Sequence, residues 1–135
     1  MPSTELQKID ELITRFYACF DNRGDRVVTI AELKPLFAPA AQIIKCVNGD
    51  FERYDFESFA EPRVQLLNSG DLKEFFEYET TAKTDCMGHI AQRWSRYEKQ
   101  WIEDEQIEKG QGVKSIQLCA SDGNWTIASI LWDDL

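Results

Sequence analysis

The sequence predicts an α+β fold in which N-terminal helices pack against a sheet formed mainly by the last third of the chain. Apolar residues in the first half recur at three-to-four spacing, as on one face of a helix. The last third alternates apolar and polar residues, as half-buried strands do. A length of 135 residues with 43% hydrophobic residues suits one domain over residues 1–135, with a real core.

The first helix is expected to begin at Ser3 or Thr4, where Thr4 and Gln7 have capping-box spacing. Its apolar face is predicted to contain Leu6, Ile9, Leu12, Ile13, Phe16 and Phe20. We expect it to end near residues 22–24, because glycine tolerates the left-handed backbone that closes a helix.

Two further helices are predicted from their caps. Thr29 and Glu32 form a capping-box pattern before a short helix that Pro39 stops. Asp55 caps a third helix that runs to residues 68–70. Pro62 lies inside this third helix, so a kink or a split into two short turns is the alternative there.

Five strands are predicted, at residues 41–47, 73–85, 88–102, 113–120 and 125–132. The segment 103–112 is acidic, contains glycine and has almost no apolar residues, which predicts a solvated hairpin loop. Residues 121–124 read Ser-Asp-Gly-Asn and form a good turn sequence between the last two strands.

Charge and composition exclude several classes of partner. The net charge is −9, and Lys and Arg are spread singly among carboxylates, which argues against nucleic acid or an anionic membrane as a partner. The N-terminus lacks the features of a signal peptide, and no apolar run approaches the length of a membrane span. A cytoplasmic protein is therefore expected.

The four cysteines predict no metal site or disulfide framework. They are widely spaced, form no C-x-x-C pattern and have no histidine cluster beside them. We interpret Cys19, Cys46, Cys86 and Cys119 as buried thiols in a reducing compartment.

One segment has the spacing of a calcium-binding loop. Asp21–Glu32 has acids at its first, fifth and twelfth positions, as an EF-hand loop does. Arg23 occupies a ligand position, however, and Arg26 stands where the sharp turn needs glycine. With a single histidine, His89, elsewhere in the chain, neither a metal nor a cofactor is predicted.

The order of elements resembles that of the nuclear transport factor 2-like superfamily, which includes SnoaL-like cyclases, ketosteroid isomerases and scytalone dehydratase. The likeness depends on four segments: Leu36–Pro39 (LFAP), Ile90-Ala91 with Trp94–Glu98, Gly112–Leu118 and Trp125–Ile127. The resemblance implies a strongly curved, mixed or antiparallel sheet that wraps the first helix into a cone. It also implies a ligand pocket in the mouth of the cone and a homodimer formed through the sheet.

The resemblance also argues against steroid isomerase activity. The positions of that chemistry fall near Phe16, Lys45 and Lys114, where the isomerases have a tyrosine, a base and an aspartic acid. A phenylalanine cannot donate to an oxyanion, and an ammonium group is not a carboxylate base. Both lysines would instead face the pocket, where a desolvated lysine could bind a carboxylate or form a Schiff base, although surface positions on alternating strands also explain them.

The candidate site residues follow from these expectations. His89 is the predicted catalytic residue, since histidine is the side chain type best suited to proton transfer near neutral pH. The ligand-binding residues are predicted to be Phe16, Tyr17, Lys45, Trp94, Tyr97, Lys114 and Trp132. Alternation puts Trp94 and Tyr97 on opposite faces of their strand and leaves open which face lines the pocket.

Three functions remain open. The first is a domain that binds a small apolar or aromatic molecule without a defined reaction. The second is a SnoaL-like lyase or isomerase with His89 or an unplaced carboxylate as proton carrier and Tyr17 or Tyr97 as donor. The third is an interaction or dimerisation module whose cavity is filled by side chains.

Overall fold

The computed structural model describes residues 4–135, in which three α-helices pack against an open sheet. The helices are α1 (Thr4–Ala18), α2 (Ile30–Leu33) and α3 (Phe56–Asn68). Helix α1 begins at one of the two predicted residues, and the other, Ser3, lies outside the described residues. Five residues of α1 are buried against the sheet: Ile9, Leu12, Ile13, Phe16 and Tyr17.

Six strands within residues 4–135 form one mixed sheet. They are β1 (Phe37–Val47), β2 (Asp50–Tyr54), β3 (Lys73–Met87), β4 (Ile90–Glu103), β5 (Gln106–Ser121) and β6 (Asn124–Asp134). Their order in the sheet is β2-β1-β6-β5-β4-β3. Only the β1–β6 pair is parallel among these strands. The predicted α+β architecture is confirmed.

Both predicted capping residues form their caps. The Thr29 hydroxyl accepts a hydrogen bond from the Glu32 amide at 3.2 Å. Asp55 accepts one from the Ser58 amide at 2.8 Å, and the Ser58 hydroxyl accepts one from the Asp55 amide, which completes a capping box. Helix α3 continues through Pro62, so the predicted alternative of a split helix is wrong.

Three boundaries in the first half differ from the prediction, the first being that α1 ends at Ala18 rather than near residues 22–24. Helix α2 is a single turn followed by a 3-10 turn at Lys34–Leu36, and Pro39 lies inside β1 rather than at a helix end. Strand β1 therefore starts four residues earlier than expected. Strand β2 was not predicted, since its five residues are largely exposed and present no apolar face.

The prediction of a hairpin loop over residues 103–112 is wrong. Strands β4 and β5 stay paired up to Glu103 and Gln106, so that only Asp104 and Glu105 form the turn. Both turn residues have positive φ, of 50° and 64°. That geometry matches the twist of a two-residue hairpin and needs no glycine at the turn itself.

The buried residue Asn22, which follows α1, links the end of that helix to the segment between α3 and β3. The Asn22 amide donates to the carbonyl oxygens of Leu67 and Leu72, at 2.9 Å and 2.8 Å. Its own oxygen accepts from the Phe75 amide at 2.7 Å. These bonds satisfy the backbone where α3 leads into β3, and hold Leu67, Leu72 and Phe75 in a fixed arrangement.

The cysteines differ in burial. All four are free thiols, but only Cys19 is buried, whereas Cys46, Cys86 and Cys119 are partly exposed. The prediction of four buried thiols is therefore wrong for three of them. None of the helices in residues 4–135 has the length and apolar character needed to cross a membrane.

Candidate functional site

A cavity of about 240 Å³ lies between α1, α3 and the inner face of the sheet. Helix α3 contributes Phe59, Arg63, Leu66 and Leu67, whose spacing places them on one helix face. The remaining lining comes from α1, the following turn and the strands: Phe16, Phe20, Lys45, Leu72, Phe75, Glu77, Tyr97, Lys99, Lys114, Ile130, Trp132 and Asp134. The walls are mostly aromatic and aliphatic, with four basic and two acidic side chains among them.

The deepest charged group in the cavity is Lys114, which is only 6% exposed. Its ammonium donates to Glu77 Oε1 at 2.5 Å and lies 3.5 Å from the centre of the Tyr97 ring. Burial lowers the pKa of the Lys114 ammonium below its ordinary value, while the Glu77 carboxylate opposes part of that shift. The pair therefore exists in a largely dry environment, where either partner alone would be costly.

A second polar cluster lies at the end of β6. The Tyr97 hydroxyl donates to Asp134, and the Lys99 ammonium lies 3.3 Å from the same carboxylate. Burial and the bond to Asp134 raise the pKa of the Tyr97 hydroxyl far above its ordinary value. Burial alone would raise the pKa of Asp134, but the Tyr97 hydrogen bond and the Lys99 charge lower it overall. Tyr97 is thus a donor and Asp134 an anion at neutral pH.

Two more cations surround the indole of Trp132 at the edge of the cavity. The Arg63 guanidinium lies 5.3 Å and the Lys45 ammonium 5.8 Å from the centre of that ring. Arg63 also lies 4.4 Å from the Phe59 ring and donates to the Phe59 carbonyl at 2.9 Å. Cations over aromatic faces are attracted by the ring quadrupole, which holds both groups near Trp132.

A buried hydrogen-bond chain lies behind this cavity and joins α1 to the sheet. Tyr17 and Ser95 are bonded at 2.7 Å, and Ser95 donates to Glu79 at 2.5 Å, so the Tyr17 hydroxyl is the donor to Ser95. Glu79 is also bonded twice by Arg93, at 2.5 Å and 3.1 Å, and Arg93 donates to Asp10 of α1 at 2.7 Å. Every member has a partner, so the chain fixes the helix on the sheet rather than offering a reactive group.

The structure brings five of the predicted site residues together. Phe16, Lys45, Tyr97, Lys114 and Trp132 all line the cavity. Tyr17 is buried directly behind them, with its ring centre 4.7 Å from the Lys114 ammonium. These residues come from α1 and four different strands, and the sheet order makes them neighbours.

Two predicted site residues lie elsewhere. Trp94 is 58% exposed on the outer face of the sheet, because Ala91, Arg93, Ser95 and Tyr97 take the inner face of β4. His89 is exposed in the turn between β3 and β4 and is not among the residues that line the cavity. The proton-carrier role of His89 stays a prediction, and the geometry of the cavity does not depend on it.

Four charged residues of the cavity were not among the predicted site residues, and three of them lie at positions that the same periodicities predict. Lys99 and Asp134 lie two positions beyond Tyr97 and Trp132, on the same strand faces, so an extended alternation includes them. Arg63 lies four residues after Phe59, one helical turn along α3. No comparable local signal indicated Glu77, since the alternation in β3 is interrupted by a register shift between Glu79 and Thr81.

The segment that resembled a calcium loop is internally paired. Arg23 donates to Asp21 with bonds of 2.6–3.2 Å, and Arg26 donates to Glu32 at 2.5 Å. Each of the two arginines thus forms an ion pair with the acidic residue at one end of the segment. Residues 4–135 contain no group of three or more His, Cys, Asp or Glu side chains placed to hold a metal ion.

Solved structures with the same fold include a nuclear transport factor 2-like superfamily protein, a protein with a cystatin-like fold and a candidate scytalone dehydratase. A superfamily protein from Salmonella enterica has a TM-score of 0.73 and 17% identity, over 98% of this chain and 92% of that one. A cystatin-like protein of unknown function from Nostoc punctiforme has a TM-score of 0.71 and 14% identity, over 96% and 90%. A candidate scytalone dehydratase from Novosphingobium aromaticivorans has a TM-score of 0.75 and 11% identity, over 97% and 84%.

Because these sequence identities are low, the likeness establishes the fold alone. No family model matches the chain, and a search of curated proteins finds no match either. The chain shares its α+β fold with a nuclear transport factor 2-like superfamily protein and with a protein that has a cystatin-like fold. The resemblance predicted from the sequence is confirmed at that level.

Proposed function

We propose that this nuclear transport factor 2-like fold binds a small aromatic molecule in the cavity between α1, α3 and the sheet. The observation that carries the proposal is the cavity of about 240 Å³, lined by Phe16, Phe59, Tyr97 and Trp132. Ligand sites are concave and mostly apolar, with a few polar groups that fix orientation, and this cavity has both properties.

The size of the cavity favours a compact ligand. An apolar cavity of about 150 Å³ in another protein holds benzene. A volume of about 240 Å³ therefore accommodates one aromatic ring with a short substituent. Ring faces and edges from α1, α3, β4 and β6 surround that space, and such contacts favour an aromatic guest over an aliphatic one.

The two alternative functions receive less support. The lyase or isomerase hypothesis needs a proton carrier at the cavity, whereas His89 lies in an exposed turn and the two carboxylates of the lining, Glu77 and Asp134, are already paired with lysines. The filled-cavity reading requires a core without space for a molecule, whereas this cavity exceeds the volume of a benzene site.

A Leu66→Trp variant tests the proposal by filling the cavity. Leu66 lines the cavity and is 47% exposed, so an indole there blocks the opening without overpacking the core. We expect its affinity for one-ring aromatic compounds, measured by isothermal titration calorimetry, to fall at least about tenfold, which corresponds to about 1.4 kcal/mol.

Leu6→Trp is the matched control for that experiment. Leu6 is 37% exposed on α1 and does not line the cavity, so the same chemical change should leave affinity unaltered. Equal affinity in the wild type and Leu66→Trp would refute binding at this cavity.

We also propose that two copies associate through the outer face of the sheet. The part of this face around Trp94 is an uncharged patch, in register across β4, β5 and β6 and bordered by Arg96 and Asp133: Gln92, Trp94, Ser115, Gln117, Ser129 and Leu131. In a chain with a net charge of −9, an uncharged patch is where two identical molecules meet with least repulsion. The exposed indole of Trp94 gives such an interface its apolar centre.

A Trp94→Glu variant is expected to convert the dimer into a monomer. Two copies related by a two-fold axis would place the new carboxylates in one buried apolar patch, which is strongly unfavourable. Sedimentation velocity would show the halved mass. Val27→Glu, at a residue exposed away from the sheet, should remain dimeric. A wild-type protein that sediments as a monomer would end the dimer proposal.

The redox state of the cysteines indicates the cellular compartment in which we propose that the protein works. All four are free, and unpaired thiols are typical of proteins that work in a reducing environment. We therefore place the binding function in the cytoplasm.

A further inference from the structure

We propose that the aromatic ligand carries an oxyanion, such as a carboxylate or phosphate, which Arg63 and Lys45 bind beside Trp132. This inference rests on the proposed function and specifies the chemistry of its ligand. The observation behind it is a pair of cations at the edge of an aromatic cavity, neither of which has an anionic partner within the described chain.

The missing partners are unexpected for this sequence. The protein has 24 Asp and Glu residues against 15 Lys and Arg. Even so, across residues 4–135 neither Arg63 nor Lys45 lies within 4.0 Å of a carboxylate. In so acidic a protein, two partly buried cations that share one site and lack ion pairs indicate that an anion from outside completes it.

The carboxylates in the cavity do not cancel this positive charge. Glu77 is paired with Lys114 at 2.5 Å, and Asp134 with Lys99 at 3.3 Å. Each of those pairs is neutral as a unit. The cavity lining holds four basic and two acidic side chains, so the net positive charge belongs to Arg63 and Lys45.

The position of Arg63 is suited to binding an anion. One guanidinium nitrogen donates to the Phe59 carbonyl, and the group is held against the rings of Phe59, Tyr54 and Trp132 at 4.4–5.3 Å. These contacts orient the group, while its other N–H donors remain for a ligand. A planar guanidinium fork matches two oxygens of a carboxylate or phosphate, and prior orientation lowers the entropy lost on binding.

The arrangement places ring and anion in adjacent spaces. The interior lined by Phe16, Phe59 and Ile130, which also contains the paired Lys114 and Glu77, takes the ring, and the cations beside Trp132 meet the anion at the cavity edge. At this edge the anion keeps part of its hydration, so charge recognition avoids the full cost of burying an ion.

The experiment compares anionic and neutral probes of the same ring size. Phenylacetate and phenyl phosphate are the anions, and 2-phenylethanol is the neutral compound, each titrated by calorimetry into the wild type. We expect both anions to bind at least about tenfold more tightly than the alcohol. Whichever anion binds more tightly identifies the oxyanion that the site prefers.

Two substitutions locate the effect. Arg63→Gln and Lys45→Gln should each weaken anion binding, by about tenfold for Arg63→Gln, and weaken the binding of 2-phenylethanol by a much smaller factor. Arg53→Gln and Lys109→Gln are matched controls, since both residues are exposed and lie outside the cavity. Thermal melts show whether each variant folds. If Arg63→Gln does not fold, Lys45→Gln still tests the inference.

The outcomes separate this inference from the proposed function. If 2-phenylethanol binds as tightly as the anions, the cavity is an aromatic site and the charge inference is overturned. If anion affinity survives both substitutions, Arg63 and Lys45 are not the recognising groups and the inference fails. If none of the three compounds binds, both the charge inference and the proposed function are refuted.

Discussion

Replacing Lys114 with methionine should lower the free energy of unfolding by about 3–5 kcal/mol. The ammonium is buried and bonded at 2.5 Å to Glu77, whose side chain is itself largely buried. Methionine fills similar space but leaves that carboxylate without its counter-charge in a dry site. Breaking one side of a buried pair is costly because the remaining charge has lost its hydration and gained nothing in return. Urea unfolding followed by tryptophan fluorescence measures the change.

A double variant shows whether charge or shape causes that loss. Lys114→Met combined with Glu77→Met removes both charges, and we expect it to recover most of the lost stability. Lys109→Met, at an exposed residue of the same strand, should change stability by less than about 0.5 kcal/mol. A double variant as unstable as Lys114→Met would show that the lysine matters for packing and not for its charge.

Adding one methyl group at residue 112, by the substitution Gly112→Ala, should have the second large effect on stability. Gly112 pairs with Tyr97 across β4 and β5, and the hydroxyl end of the Tyr97 side chain lies where a β-carbon of residue 112 would stand. An alanine methyl group there would overlap the Tyr97 hydroxyl and ring and approach the Asp133 carbonyl oxygen to 2.6 Å. Because the backbone oxygen cannot move aside, we expect Gly112→Ala to cost about 2–3 kcal/mol of stability and to displace Tyr97 from Asp134.

Gly110→Ala provides the matched control two residues earlier on the same strand. Its methyl group would meet the side chain of Lys99 at 2.7 Å, which is flexible and can swing away. We expect a loss below about 1 kcal/mol for this variant. If both alanine variants unfolded at the same urea concentration, the close approach of Tyr97 to Gly112 would not be the reason for the glycine.

These glycines also explain why residues 103–112 were not recognisable as strand. Acidic residues and glycine are depleted in strands, so the local preference indicates a loop. In the folded protein Gly110 and Gly112 are where two long side chains of β4 cross β5 closely, a packing requirement that appears only once the strands are paired. The apolar alternation in β4 and β6, by contrast, depends on burial of one face and was visible in the sequence alone.

The site was predictable in part for the same physical reason. Phe16, Tyr97 and Trp132 occupy buried faces whose periodicity is local, and their convergence followed from the resemblance to a known fold. Arg63 could not be singled out, because its partly exposed position on α3 resembles that of an ordinary solvated helix residue. Its role depends on the distance to Trp132, which lies 69 residues away in the chain and is near only in the folded state. Which face of β4 is inner likewise required the folded sheet.

The most direct test of an aromatic site in the cavity is the tryptophan indole N–H spectrum of ¹⁵N-labelled protein titrated with phenylacetate. Trp132 lines the cavity and Trp94 lies on the opposite face of the sheet, so the two indoles report on the two surfaces in one sample. Binding in the cavity predicts a saturable shift of the Trp132 resonance while that of Trp94 stays in place. A spectrum that does not change, or one in which Trp94 shifts and Trp132 does not, would contradict the account.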